Sequence, residues 1–372
     1  MKRIMVAFGT RPEVIKLSPV IRQIIKSQKL TPVIVSTDQH DDLLESALET
    51  FNIKPDFRLE LFKEKQSPSE IVSNVISKMT ELLTANPVDM MVVQGDTSSV
   101  LGLSIAAFHH KIPVAHVEAG LRTNNMYSPF PEEMNRILVD HISTLCFAPT
   151  SQSVKNLLSE NISRDGVIIT HGNTVVDALK IAKNMAKAER YNDLGEFVLI
   201  TAHRRENFKE GIKNICEAVL NLAKKYPKIN FVFFVHPNPN VQKPVYDRLG
   251  ETNTKNIILY DPVPYSDFVE VISKCSFIMT DSGGIQEEAM SFKKPVFILR
   301  DETERTELVE MGCGKIVGTN VGKIIKEVSN VLNSSSEFKK MTRGATRYGD
   351  GYASNRIVKE IEKFFEQKDG KD

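Results

Sequence analysis

Phe277-Ile-Met-Thr-Asp-Ser-Gly-Gly-Ile-Gln-Glu-Glu288 sets a short apolar run against a glycine turn and a helix start. The apolar part reads as a buried strand whose carboxyl end feeds the first turn of the helix. Ser282, Gly283 and Gly284 let backbone N–H groups approach an anion at the positive end of the helix dipole, and Glu288, a turn later, suits a ribose hydroxyl. The stretch points to a sugar nucleotide or another diphosphate. An ordinary capped helix, which also favours Asp, Ser and Gly, accounts for the motif about equally well.

The same rhythm runs through the whole chain. Strand-like runs fall at residues 4–8, 33–36, 90–94, 114–117 and 145–148, and again at 198–201, 231–235, 257–260, 277–280 and 296–299. Helical segments such as 211–225 and 265–274 separate them, which predicts an α/β protein with parallel sheets. The economical reading is two Rossmann-like domains facing a central cleft, with functional residues at the carboxyl ends of the strands. A first crossing is expected near 169–173 and a loop at Asn333-Ser-Ser-Ser336. The amphipathic segment 353–366 is expected to return to the first domain, and 368–372 to be a frayed tail. The predicted domains are therefore 1–169 with 354–372, and 170–353.

At 372 residues and 41% hydrophobic composition the chain can fill two such cores. Lys+Arg total 48 against 47 Asp+Glu, a net charge of +1, so no global field attracts nucleic acid or an anionic membrane. Cys146, Cys216, Cys275 and Cys313 lack metal-ligand spacing, as buried thiols of a reducing compartment do, and predict neither structural zinc nor disulfides. Nothing approaches the ~20 apolar residues of a membrane span, and the chain opens on a strand-like run, so a cytoplasmic protein is expected.

Polar groups gather at the predicted strand ends. In the first half these are Gly9-Thr-Arg-Pro-Glu13, Gln94-Gly-Asp-Thr97, Glu118-Ala-Gly-Leu-Arg122 and Pro129-Phe-Pro-Glu-Glu-Met-Asn-Arg136. Asp96 suits either a helix cap or catalysis. Glu118 follows the apolar Val114-Ala-His-Val117, where burial favours proton transfer unless Arg122 or a neighbouring helix pairs it. Glu132 and Glu133 also suit the first turn of a helix after Pro131. Three carboxylates near one sheet edge, with Arg11 and Arg136 at hand, favour acid/base chemistry on a phosphorylated ligand. In the second half, Thr201-Ala-His-Arg-Arg-Glu-Asn207 brings an imidazole and two guanidiniums to a strand end, and His236 stands at another. Arg300-Asp-Glu-Thr-Glu-Arg305 reads either as a segment closing over a nucleotide or as a solvated, self-paired loop.

Taken together, Phe8-Gly-Thr-Arg-Pro-Glu13, Gln94-Gly-Asp96, His116-Val-Glu-Ala-Gly-Leu-Arg122, Tyr127-Ser-Pro-Phe-Pro-Glu-Glu133, Gly172-Asn-Thr174, His203-Arg-Arg-Glu-Asn207, His236-Pro-Asn-Pro-Asn240 and 281–288 closely resemble the non-hydrolysing UDP-N-acetylglucosamine 2-epimerases. The resemblance spans the chain and keeps the family's order. It implies a GT-B-type fold, a homodimer and a UDP-sugar substrate. No cofactor is implied, and no GxGxxG follows the first strand. The implied reaction is elimination of UDP to 2-acetamidoglucal and its re-addition, exchanging UDP-N-acetylglucosamine and UDP-N-acetylmannosamine for surface polysaccharide synthesis. Asp96, Glu118 and Glu132 become the acid/base candidates. Arg11, Lys16, Arg136 and His203 hold or neutralise the diphosphate. Ser282, Gly283, Gly284, Glu288 and Arg305 bind phosphate, ribose or uracil-side groups, and His236 joins the ligand contacts.

Gln39-His40 matches a segment associated with activation by a second substrate molecule, with Asp41 where a basic residue is common. Thr306 and Met311-Gly-Cys313 depart from the family pattern. Other readings of the same scaffold are a hydrolysing epimerase, a 2-epimerase of a UDP-diacetamido uronic acid, a retaining glycosyltransferase, and a UDP-sugar sensor that moves no proton.

Overall fold

The computed structural model describes residues 1–37, 42–61, 66–185, 191–343 and 349–370. Two compact units emerge, Met1–Ile181 with Tyr348–Asp372, and Ala182–Arg347. In the first, β1 (Lys2–Phe8), α1 (Arg11–Lys26), β2 (Leu30–Ser36), α2 (Asp42–Phe51), β3 (Phe57–Arg58), α3 (Pro68–Ala85) and β4 (Met90–Gln94) are followed by α4 (Ser98–His109), β5 (Val114–Val117), α5 (Glu132–Ile142), β6 (Leu145–Ala148), α6 (Ser151–Ser159), β7 (Val167–Ile169) and α7 (Thr174–Lys183). The seven strands are parallel in the order β3-β2-β1-β4-β5-β6-β7. The strand order therefore reverses between β1 and β4, where ligands of open parallel sheets bind.

The second unit repeats the plan with β8 (Phe197–Thr201), α8 (Glu210–Lys225), β9 (Asn230–Phe234), α9 (Pro239–Val245), β10 (Ile257–Tyr260), α10 (Tyr265–Lys274), β11 (Phe277–Thr280), α11 (Gly283–Ser291), β12 (Val296–Ile298), α12 (Thr306–Glu310), β13 (Gly314–Ile316), α13 (Val321–Leu332) and α14 (Ser335–Thr342). Its strands run β10-β9-β8-β11-β12-β13, all parallel, and reverse between β8 and β11. The last helix, α15 (Ala353–Asp369), belongs to the first unit.

Parallel sheets covered on both faces need apolar residues at every strand position. β4, β5, β6, β8 and β11 are accordingly buried throughout. Helices supply the covering faces: in α8, Ile212, Ile215, Cys216, Val219, Leu222 and Ala223 recur at helical spacing and pack into one core with Phe231 and Phe233. Each fully buried aliphatic or aromatic side chain of this kind contributes about 1.5–3 kcal/mol.

The chain passes between units inside α7 and again just before α15, whereas the sequence placed the crossings at 169/170 and 353/354. Asp177 explains why α7 begins with the first unit, since its carboxylate accepts the Ala353 and Ser354 N–H groups at 3.2 and 2.9 Å. The segment expected as a frayed tail is helical to Asp369, which pairs with Lys2 at 2.9 Å. The loop expected at Asn333–Ser336 is shorter, because the Ser334 hydroxyl caps α14 by accepting the Glu337 N–H. Among the described residues no helix is long and apolar enough to cross a membrane. All four cysteines are buried.

Candidate active site

In the first unit three turns converge at the switch point. Gly9-Thr10 leaves β1, Gly95-Asp96 leaves β4, and Glu118-Ala-Gly120 leaves β5. Glu118 adopts φ 70°, a left-handed conformation that a non-glycine residue rarely takes. Such conformations cluster at functional sites. Its side chain is buried, contacts the Lys16 ammonium, and accepts from Asn173 Nδ2 at 2.6 Å. Two donors on one oxygen stabilise the ionised form, which is the form that abstracts a proton.

Asp96 does not cap the helix that follows it. The cap is Thr97, whose hydroxyl accepts the Val100 N–H, while the Asp96 carboxylate pairs with the guanidinium of Arg136. Arg136 also donates to the Glu118 carbonyl oxygen at 2.6 Å and stands 3.5 Å from the Glu118 carboxylate. Asn135 donates to the Asp96 carbonyl oxygen at 3.0 Å. One helix, α5, therefore fixes both carboxylate-bearing turns and carries Glu132 at its own start. Arg122 is not the partner of Glu118, because it turns to Asp140 and Glu160 at 2.7 and 2.6 Å. Arg11 is half-buried at the N-terminus of α1. Lys16 and Arg136, expected on the diphosphate, engage Glu118 and Asp96 here.

Glu133 accepts the Thr123 and Asn124 N–H groups at 2.9 and 3.0 Å and so ties down the preceding loop. Burial raises its carboxyl above the ordinary value, against the pull of those bonds. Two residues received no role from the sequence. Glu13 accepts the Gly9 N–H at 2.6 Å and the Thr97 hydroxyl at 2.8 Å, joining the β1 and β4 turns, and burial lifts its carboxyl to about 7. Thr10 and Glu13 have the S/T-x-x-E spacing of a capping box, a signal that was open to reading. Asn173 offered no such local pattern.

The second unit holds the other group. Asp281 is fully buried, and its carboxylate accepts the His203 and Arg204 N–H groups and Asn207 Nδ2, each at 2.9 Å. It thereby locks the β8 turn to the β11 turn at that sheet's own switch point. The half-buried rings of His203 and His236 stack with centroids 5.2 Å apart. Ser282 donates its N–H to Thr280 Oγ1 at 3.0 Å, and the first bond inside α11 runs from Gln286 to Ser282. The N–H groups of Gly283, Gly284 and Ile285 precede that bond and form the positive end of the helix. A methyl group at Gly283 would strike Arg305 Nη1 at 2.6 Å, whereas the space at Gly284 is open. Glu288 is buried and accepts from the Tyr265 hydroxyl at 2.8 Å.

The segment 300–305 is solvated only at Asp301 and Glu302, and is partly self-paired through Glu304. Arg300, Glu304 and Arg305 are buried. Arg300 reaches Glu206 and Glu304 at 2.6 and 2.9 Å, and Arg305 reaches Glu287 at 3.0 Å and also Glu304. Burial would raise the Glu304 carboxyl, but the charges of Arg305, Arg300 and Arg204 outweigh it and hold the group well below the carboxylate range. Gln39 and His40 lie outside the described residues.

The family model described as UDP-N-acetylglucosamine 2-epimerase matches residues 22–362. The UDP-N-acetylglucosamine 2-epimerase of Neisseria meningitidis is 45% identical over 370 residues, which cover 96% of this chain and 99% of the relative. That of Bacillus subtilis is 42% identical, covering 96% and 94%. The crystal structure of the Neisseria meningitidis enzyme bound to UDP-GlcNAc superimposes with a TM-score of 0.92 at 45% identity, over 97% of this chain and 100% of that one. The chain belongs to the UDP-N-acetylglucosamine 2-epimerase family.

Proposed function

We propose that the chain reversibly inverts C2 of UDP-N-acetylglucosamine, giving UDP-N-acetylmannosamine with UDP reattached. The observation that carries the reading is Glu118, a buried carboxylate held by Lys16 and Asn173 in the same unit as an Arg136-bound Asp96. A carboxylate removes the C2 proton while the C1–oxygen bond breaks. The bonding pair leaves with UDP, and a C1–C2 double bond remains in the 2-acetamidoglucal. Re-addition reverses these events with the proton delivered to the opposite face. No carbonyl adjoins C2 within the ring, so its acidity depends on positive charge developing at C1, and stabilising the departing diphosphate matters as much as the base. In the second unit, His203, His236 and the start of α11 at Ser282, Gly283 and Gly284 supply donors for that anion, with Arg305 packed against Gly283.

Incubation with UDP-N-acetylglucosamine in deuterated water is expected to place deuterium at C2 of both epimers while UDP stays attached, as read by NMR. Stoichiometric free UDP and N-acetylmannosamine would instead establish a hydrolysing enzyme. Bound sugar without deuterium would establish a sensor.

The same reading includes a homodimer. Phe108 on α4, and Met134 and Leu138 one turn apart on α5, leave large apolar side chains exposed. Met134 and Leu138 share one face of α5, and a contiguous exposed apolar patch is what marks an association surface. Sedimentation at micromolar concentration is expected to give twice the chain mass, and replacing Leu138 by Glu to shift the species toward monomer. A monomer in the unaltered protein would remove this element.

A further inference from the structure

His116 lies on β5 two residues before Glu118 and is wholly buried. Its ring is clamped between two oxygens. Nε2 stands 2.8 Å from the carbonyl oxygen of Gly95, and Nδ1 stands 2.6 Å from Asp140 Oδ1. A carbonyl oxygen has no proton to give, so Nε2 must donate. Asp140 already accepts the Gly120 N–H at 3.1 Å and Arg122 Nη2 at 2.7 Å through its other oxygen. Those donors favour an ionised carboxylate, and facing one, Nδ1 must donate as well.

We propose that His116 is held as a doubly protonated imidazolium and acts as a positioning residue, setting the turn that carries Asp96 against the turn that carries Glu118. On one side it grips the carbonyl immediately before Asp96. On the other it works through Asp140, which grips the amide two residues after Glu118. Both gripped residues are glycines at positive φ, 86° for Gly95 and 79° for Gly120. A glycine backbone wanders unless something outside the turn holds it. Gly120 has no room for a side chain in any case, because a Cβ there would meet the Ser153 carbonyl oxygen at 2.4 Å. Asp140 follows Arg136 by one helical turn, so α5 secures the two carboxylate turns at two levels.

The charges around the ring balance. His116 and Arg122 are the cations, and Asp140 and Glu160 the anions. Burial alone would raise the Asp140 carboxyl, but the charges and hydrogen bonds of His116 and Arg122 reverse that and hold it below the carboxylate range. Cys146 donates to the Asp140 carbonyl oxygen at 3.5 Å, and burial pushes its thiol far above the ordinary value, so it brings no charge. A neutral histidine pairing with a carboxylate would need only one ring proton. The second acceptor, Gly95, is what this geometry adds.

The kinetic part of this inference rests on the epimerase reading, and the spectroscopic part does not. Nitrogen NMR of the 15N-labelled protein at the pH of the activity assay is expected to show both ring nitrogens of His116 carrying hydrogen, donated to Asp140 and Gly95, with the signals assigned by their loss in His116→Gln. A singly protonated ring there overturns the proposal. Folded His116→Gln and the shape-preserving Asp140→Asn are expected to lower kcat about 10–100-fold while KM and the Kd for UDP stay within about twofold. Unchanged kcat in a folded variant also overturns it. If His116→Gln fails to fold, the wild-type spectrum still decides. Absence of epimerisation by the unaltered protein would sink the functional reading and leave the imidazolium standing.

Discussion

Glu118→Gln is expected to lower turnover of UDP-N-acetylglucosamine by about 10²–10⁴-fold, the usual weight of a general acid or base, with the Kd for UDP changed less than threefold. The amide keeps the shape and can still meet Asn173, and the turn itself is held through the Glu118 carbonyl oxygen by Arg136. What disappears is the negative charge facing the buried Lys16 ammonium. Losing one side of this buried ion pair costs stability on its own account, so a loss of turnover could be confused with a loss of fold. The double variant Lys16→Met/Glu118→Gln separates the two, since thermal stability should recover while turnover stays low. Turnover of Glu118→Gln within tenfold of the unaltered protein would assign the carboxylate to structure. Loss of UDP affinity in step with kcat would do the same.

Arg305→Met is expected to destabilise the second unit by roughly 3–5 kcal/mol, the range for breaking a buried ion pair from one side. The guanidinium faces Glu287 and Glu304, and all three residues are buried. Arg300 continues to serve Glu304 after the substitution, but Glu287 loses the contact to Arg305 Nε. The pH dependence follows from the depressed Glu304 carboxyl. Stability from a group whose folded-state pKa is lowered is present above its unfolded value of 4.5 and is lost as pH falls toward the folded one. The gap between the unaltered protein and Arg305→Met should therefore be widest near neutrality and narrow below about pH 4.5. Denaturant unfolding at several pH values measures it. A gap under 1 kcal/mol at pH 7 would show that the cluster relaxes around the missing charge.

The strands were largely legible because parallel, doubly covered sheets demand continuous apolar runs, and 90–94, 114–117, 145–148, 257–260 and 277–280 match β4, β5, β6, β10 and β11 end to end. β3 and β13 were not, being two and three residues long, with Arg58 exposed in one and Gly314 opening the other. The site was legible as a set of strand-end motifs and illegible as a network. Asp96 and Thr97 are both good caps, and only the approach of Arg136 from α5 decides between them. Asp140 is one more acidic residue in a helix until β5 sets His116 beside it. The charge density of 300–305 left closure over a nucleotide and a solvated, self-paired loop both open, because sequence gives no view of Glu206 and Glu287 arriving from elsewhere to neutralise it.

α15 has a consequence for synthesis on the ribosome. Nearly everything else in the first unit is synthesised before residue 182, yet the Ala353 and Ser354 amides that satisfy Asp177 are made only after the whole second unit has been translated. A nascent chain must therefore hold its first unit incomplete, its sheet translated but α1 uncovered where α15 will pack, through about 170 further residues, roughly 10–30 s at ordinary elongation rates. Messages truncated upstream of codon 353 should yield first units prone to chaperone capture and degradation, even though every acid/base candidate has already been translated.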